Sequence, residues 1–228
     1  MKLIKYYYFL RKFFYLLYGE KFFKRLNYEW NYLPSRIDIV NNLIKCHNYK
    51  SYLEIGCNND DLFSNVIIKR KVGVDPNLGG TIRTTSDNFF SSNNECFDII
   101  FIDGLHIYEQ VKRDILNSVK FLNKNGIILV HDCLPNKIWE QNIPRMNGAW
   151  SGDVWKSIVD LRRKKNLDIY TLIADRGIGV IMNRPNRNLL KLDFDINKLK
   201  YSDYYNNHKK YMNLIDQIQF KKIFLKRY

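Results

Sequence analysis

The chain predicts an α/β fold: a Rossmann-like, doubly wound, mostly parallel sheet with helical extensions at both ends. Three observations predict it. Short apolar runs at 51–55, 71–74, 97–102 and 126–131 alternate with stretches of helical periodicity, the pattern of parallel βαβ units. The first run leads into a glycine turn, Glu54-Ile55-Gly56. Acidic residues recur where the runs end: Glu54, Asp75, Asp103 and Asp132. In parallel sheets ligands bind beyond the carboxyl ends of the strands, so four acids in that register describe a site.

Size and composition agree. A chain of 228 residues with 46% hydrophobic and 15% aromatic content builds one sizeable core, which excludes global disorder. The four cysteines, Cys46, Cys57, Cys96 and Cys133, form no C-x-x-C pair. A zinc ribbon and a disulfide scaffold are thereby disfavoured, and a reducing, cytoplasmic setting is expected. No run of 18 apolar residues exists to span a membrane. The net charge of +14 sits at the ends: residues 1–30 hold 7 basic and 2 acidic side chains, and 183–228 hold 11 and 4. The middle is close to neutral, so nucleic acid is not the expected partner.

Three segments follow from this: a basic aromatic helix at 1–34, the sheet domain at 35–183, and a basic helical tail at 184–228. In the first, Leu3, Tyr7, Leu10, Phe14 and Leu17 recur at helical spacing. The stripe is expected to pack on the chain's own core or on a twin subunit, giving a homodimer. The other reading is peripheral contact with an anionic membrane at its inner face. Ser35-Arg36-Ile37-Asp38 is a capping box that starts a helix ending near His47. Further helices are expected at 60–69, 107–122 and 153–164, and last strands near 167–173 and 178–183. Residues 134–152, with Pro135, Pro144, Gly148 and Gly152, read as an irregular loop.

The chemistry begins at Glu54-Ile55-Gly56-Cys57-Asn58-Asn59-Asp60. A strand, a glycine turn and a helix form a cofactor cradle, but Asn58 and Asp60 stand where a dinucleotide fingerprint has its later glycines. The acids Asp60 and Asp61 would repel a pyrophosphate and suit a cationic ligand, which favours S-adenosylmethionine over NAD. Asp75 follows Glu54 by 21 residues at the tip of the second strand, the place for a ribose-binding carboxylate.

With these motifs in order, the chain resembles the class I S-adenosylmethionine-dependent methyltransferases over roughly residues 35–183. The resemblance is narrower to a small bacterial branch with Asp-Gly-x-His-x-Tyr after the strand at 97–102 and His-Asp after the strand at 126–131. Members of that branch often modify sugars or surface polysaccharides. The resemblance implies that Glu54, Gly56 and Asn58 line the methionine part of the cofactor. It implies further that Asp75 binds ribose, that Ser86 and Asp87 meet adenine, and that Asp103 floors the reaction site. Related catechol-type enzymes bind Mg²⁺ at positions matching Asp103 and Asp132, so Mg²⁺ or Mn²⁺ is a candidate cofactor here. Their amide-type ligand falls at Cys133, a poor Mg²⁺ ligand.

Methyl transfer to a hydroxyl needs a base. His106 is the first candidate and His131 the second, with Asp103 beside them. A helix cap at Ile107 is the other reading of His106. Arg83 is a candidate for an anionic substrate group. Trp150, Asp153 and Trp155 are candidate walls for a sugar, with core packing as the alternative. The expected function is O-methylation of a sugar or surface-glycan precursor. The alternatives are an RNA methyltransferase and a non-catalytic scaffold that keeps the fold.

Overall fold

The computed structural model describes residues 25–30, 34–145, 148–193 and 195–225, together with Tyr7, Phe9, Leu10, Phe13, Phe14 and Leu17. Seven strands form one sheet: β1 (Ser51–Ile55), β2 (Arg70–Val74), β3 (Phe97–Ile102), β4 (Leu122–Val130), β5 (Leu167–Leu172), β6 (Ile178–Asn183) and β7 (Leu214–Ile215). Their order is β2-β1-β3-β4-β6-β5-β7. The first four strands are parallel, β6 runs antiparallel to β4 and β5, and β7 pairs parallel with β5.

Among the residues described from 25 onward, six helices flank the sheet: α1 (Arg36–His47), α2 (Ser86–Ser92), α3 (Tyr108–Lys120), α4 (Val154–Leu161), α5 (Tyr201–Met212) and α6 (Gln217–Phe224). Side chains alternate along the strands, so each face has its own core. Ile100 and Ile102 point to the face covered by α2, α3, α4 and α5. Ile99 and Phe101 point to the face covered by α1 and α6. The Ser35 capping box forms as expected: its hydroxyl takes the Asp38 amide and Asp38 takes the Ser35 amide.

Three expectations change. The helix at 60–69 is absent; only a 3₁₀ turn, Phe63–Asn65, stands there. Asp60 is left-handed at φ 62°, which breaks a helical start, and its Oδ1 takes the Gly80 amide instead. β4 begins earlier than the apolar run suggests, because Leu122 pairs with Phe97 across a register shift. The tail past residue 184 is built into the sheet domain: it supplies β7, and it buries Tyr201, Tyr204, Tyr211 and Met212 from α5 and Phe220 and Phe224 from α6.

At the other end, Tyr7, Phe9, Leu10, Phe13, Phe14 and Leu17 are helical and 49–64% exposed. The expected cover from the chain's own core is therefore not found for these residues, and Leu3 lies outside the described ones. The segment after them does dock, with Leu26, Tyr28 and Trp30 against the core and the Tyr28 hydroxyl 3.0 Å from His208 Nε2. No described helix is long and apolar enough to cross a membrane.

Candidate active site

A cleft of about 880 Å³ crosses the carboxyl ends of β1, β2, β3 and β4. That volume is at the upper end for ligand pockets and leaves room for two small molecules. It is lined at one end by Glu54, Gly56, Asn58, Asp75, Ser86 and Asp87, and at the other by Asp103, His106, His131, Asp132 and Trp150. The sequence-derived cofactor, base and metal candidates thus meet in one cleft, without Arg83, Asp153 and Trp155.

The first end is organised by backbone. Gly56 has φ +89° and donates its amide to the Val74 carbonyl, while the Asp103 amide donates to Ile55. A side chain at 56 would overlap the Asp103 backbone, so glycine lets the three strand ends close up. Asn58 and Asp60, where later glycines were lacking, adopt glycine-like φ values of 47° and 62°. Asn and Asp tolerate this region better than other side chains. The Asp75 carboxylate takes three amides, from Asn58 (3.0 Å), Asn77 (2.8 Å) and Leu78 (3.0 Å). Burial pushes its pKa up, but these amides outweigh that and hold it below the ordinary value. Of four lone-pair sites on a carboxylate, one is left free by these amides. Glu54 is 2% exposed and accepts from the Tyr52 hydroxyl. Burial raises it to about 8, against the Tyr52 bond. Thr85 caps α2, which begins at Ser86 and Asp87, and Gln110 Nε2 reaches both side chains at 3.2 Å. Asp114, also in the cleft wall, is raised to about 6 by burial.

The second end is organised by side chains. Asp103 Oδ1 lies 3.1 Å from both His106 Nε2 and His131 Nδ1. His131 Nε2 lies 3.0 Å from Asp175 Oδ1. His131 is thus held by carboxylates at both ring nitrogens. Burial opposes its charge, but Asp103, Asp175 and Asp132 lift it to about 10, so it is a cation at neutral pH. Asp103 is pulled the other way: burial raises it, and the two histidines hold it well below the usual carboxylate range. His106 Nδ1 is 3.3 Å from Asp132 Oδ2, yet it is buried with no aligned hydrogen bond. Asp132 Oδ1 is gripped by Arg176 Nε and takes the Ser151 hydroxyl at 3.3 Å.

Loop 134–152 places the outer wall. Trp150 stacks on His106, with centroids 5.1 Å apart and planes at 22°. Its indole N–H is anchored on the Asn142 carbonyl at 2.7 Å. Gly152 sits at φ +56° against the His106 carbonyl, where a side chain would collide. The other candidate walls are not walls. Trp155 is fully buried against Tyr204, and Asp153 accepts the Tyr108 amide at 2.7 Å, capping α3 from outside. That cap frees His106 from the capping role. Arg83 turns to the first end, where Nη1 donates to the Asp75 carbonyl at 3.1 Å.

Four participants escaped the sequence reading: Arg36, Ser151, Asp175 and Arg176. Arg36 starts α1 and reaches Asp103 Oδ2 at 3.7 Å, while its amide donates to Asp175 at 2.6 Å. Asp175 and Arg176 form the β5–β6 turn with Gly177, at φ 39° and 63°. An Asp-Arg-Gly turn between two apolar strands was the available signal. Cys133, at the amide-ligand position, is buried with its thiol directed to the Val130 carbonyl. Asp103, His131 and Asp132 each offer one ligand atom, all within 4.8 Å of one another.

Residues 54–133 match a family model described as a methyltransferase domain. No curated protein sequence matches the chain. Among solved structures, a putative caffeoyl-CoA O-methyltransferase from Staphylococcus aureus aligns at TM-score 0.50 and 15% identity, covering 67% of this chain and 87% of that one. An O-methyltransferase from Bacillus cereus, in complex with S-adenosylhomocysteine, aligns at 0.48 and 12%, covering 70% and 84%. A Podospora anserina methyltransferase bound to the same product aligns at 0.47 and 15%, covering 65% and 78%. At these identities the likeness is one of fold. The stretch that matches a methyltransferase-domain model thus runs from the buried Glu54 of β1 to Cys133 past β4, on a Rossmann-like sheet.

Proposed function

We propose that the protein transfers a methyl group from S-adenosylmethionine to a hydroxyl, with a sugar or surface-glycan precursor as the acceptor class. One observation carries this reading. A single cleft has carboxylates suited to a cationic cofactor at one end and, at the other, an imidazole held between two carboxylates, whose Nδ1 makes no aligned hydrogen bond. The acceptor oxygen attacks the sulfonium methyl in line, the carbon–sulfur bond breaks, and its electron pair stays on sulfur. Holding nucleophile, methyl and sulfur in line is the larger part of the work. The proton goes to His106. Assigning the Nε2 proton to the bond with Asp103 leaves the Nδ1 lone pair as base, and Asp132 stabilises the proton it gains. His131, already a cation, orients Asp103. Trp150 in the cleft wall supports a sugar acceptor, since aromatic side chains pack against pyranose rings.

Two carboxylates and, once His131 gives up a proton, an imidazole fit a divalent ion, which Asp103, Asp132 and His131 would hold. The oxygens suit Mg²⁺ and the nitrogen suits Mn²⁺ better. Such an ion would supply Lewis acidity toward the acceptor oxygen.

Calorimetry with S-adenosylmethionine and S-adenosylhomocysteine tests the cofactor reading. Both should bind, and failure of both in the folded protein would leave a scaffold. A screen of nucleotide-sugars for S-adenosylhomocysteine release then tests the acceptor. Activity that vanishes with a chelator and returns with Mg²⁺ or Mn²⁺ would establish the ion. Full activity in excess chelator would leave Asp103 and Asp132 as orienting groups only.

A further inference from the structure

The cations lining the cleft are gathered at one end. Five carboxylates, Glu54, Asp61, Asp75, Asp87 and Asp114, line the cofactor end. Every cationic Lys or Arg that lines the cleft is an arginine of the acceptor end: Arg36, Arg145 and Arg176. Two of the three are committed. Arg36 faces Asp103 and His131 Nε2, at 3.7 and 3.5 Å, and Arg176 grips Asp132 and donates to the Ser151 hydroxyl at 2.9 Å.

Arg145 differs. Its guanidinium meets no carboxylate among the described residues; its contacts are a 3.5 Å bond to the Gly148 carbonyl and the Trp150 ring, 5.7 Å from Cζ to centroid. Trp150 in turn stacks on His106. The order across the outer wall is therefore base, aromatic platform, guanidinium. A ring set beside Trp150 with its hydroxyl at His106 would carry its far substituent to Arg145. A guanidinium fork recognises planar or tetrahedral oxyanions by paired N–H donors, and a neutral hydroxylated ring would leave it unused.

Resting on the methyltransferase reading, we propose that the acceptor is anionic, a hydroxylated ring bearing a phosphate or carboxylate group, and that Arg145 selects for that group. Arg145 is a specificity residue, remote from the transferring methyl. It replaces Arg83, the sequence candidate for this role, which the structure turns to Asp75.

The test titrates the full chain with inorganic pyrophosphate and, separately, with malonate by calorimetry at low ionic strength. Each titration is run on the free protein and on the S-adenosylhomocysteine-loaded protein. Saturable binding of at least one probe at one site per chain is expected. Arg145→Ala should weaken that binding at least tenfold and leave S-adenosylhomocysteine affinity within about twofold, and Arg145→Lys should recover part of the loss. Preference for pyrophosphate identifies a phosphate-bearing acceptor, and preference for malonate a carboxylate-bearing one. No saturable binding, or equal binding in Arg145→Ala, overturns the proposal; the latter places the anion on the basic ends. Failure of S-adenosylhomocysteine to bind would instead sink the cofactor reading, while the titrations of the free protein still decide the anion site.

Discussion

The two ends of the cleft are built by different means. At the cofactor end, acids serve the backbone: Asp75 collects three amides, Thr85 caps α2, and glycine or glycine-like residues close the strand ends together. At the acceptor end, acids serve other side chains: Asp103, Asp132 and Asp175 tie together two histidines and two arginines. A local scaffold holds the first, and a long-range ion network holds the second. The two should therefore fail separately, the first by losing affinity and the second by losing rate.

The largest expected effect is at the acceptor end. His106→Ala should lower kcat by about 10²–10⁴, the usual contribution of a positioned base, and leave S-adenosylhomocysteine affinity within about threefold. A parallel loss of affinity would show that the two ends are one unit. Next comes Asp75→Asn. With one lone pair left for ribose, it loses one charge-assisted bond of about 1.5–3 kcal/mol, so affinity should fall roughly tenfold or more. Activity at saturating cofactor should persist. An unchanged affinity in the folded variant would remove ribose from β2.

The third effect depends on pH. Glu54 is raised to about 8 in the free protein, so it is largely protonated at neutral pH. A cationic cofactor beside it favours the ionised form, and binding must then release a proton. Affinity should rise with pH, by at most about tenfold per unit, and level off above about 8. Calorimetry in buffers of different ionisation enthalpy reads the proton, and Glu54→Gln should abolish the release. The free protein should move oppositely. Its raised carboxyl favours folding fully below the unfolded-chain value near 4.5, and that advantage is lost as pH climbs to about 8. Proton uptake on binding would show that the cofactor's cationic groups lie elsewhere. The smallest effect is expected far from the cleft. Removing residues 1–24 should leave S-adenosylhomocysteine affinity unchanged, since no described residue of that segment lines it. A measurable drop would tie the exposed stripe to the site.

This contrast also explains what was legible in the sequence. Strand ends announce themselves, because an apolar run that stops at an acid or a glycine is visible locally. Glu54, Asp75, Asp103 and Asp132 were all found that way. The Ser35 capping box was equally local. The ion network was half legible: Asp103, His106, His131 and Asp132 were seen as neighbours in motifs, but their counter-ions were not. Arg36 lies 67 residues before Asp103, and Arg176 44 residues after Asp132, so only the folded sheet brings each pair together. Trp150 and Trp155 show the same limit. They share one loop-to-helix segment, and packing alone sends one to the cleft and the other to the core. The tail's helices were legible, but its strand was not: β7 is two residues long and has no periodicity to detect until β5 supplies its partner.

Asp132, Asp175 and Arg176 all sit in left-handed backbone, at φ 59°, 39° and 63°. Each holds a conformation that an L side chain adopts at a cost of roughly 1 kcal/mol and glycine adopts freely. Function and fold stability are thus set against each other at three neighbouring positions. A selection for thermal resistance alone has glycine open to it at all three, and each such gain would unpick a carboxylate or guanidinium from the acceptor end. A selection for methyl transfer would hold all three in their strained state and recover stability elsewhere, in the apolar layers on either side of the sheet.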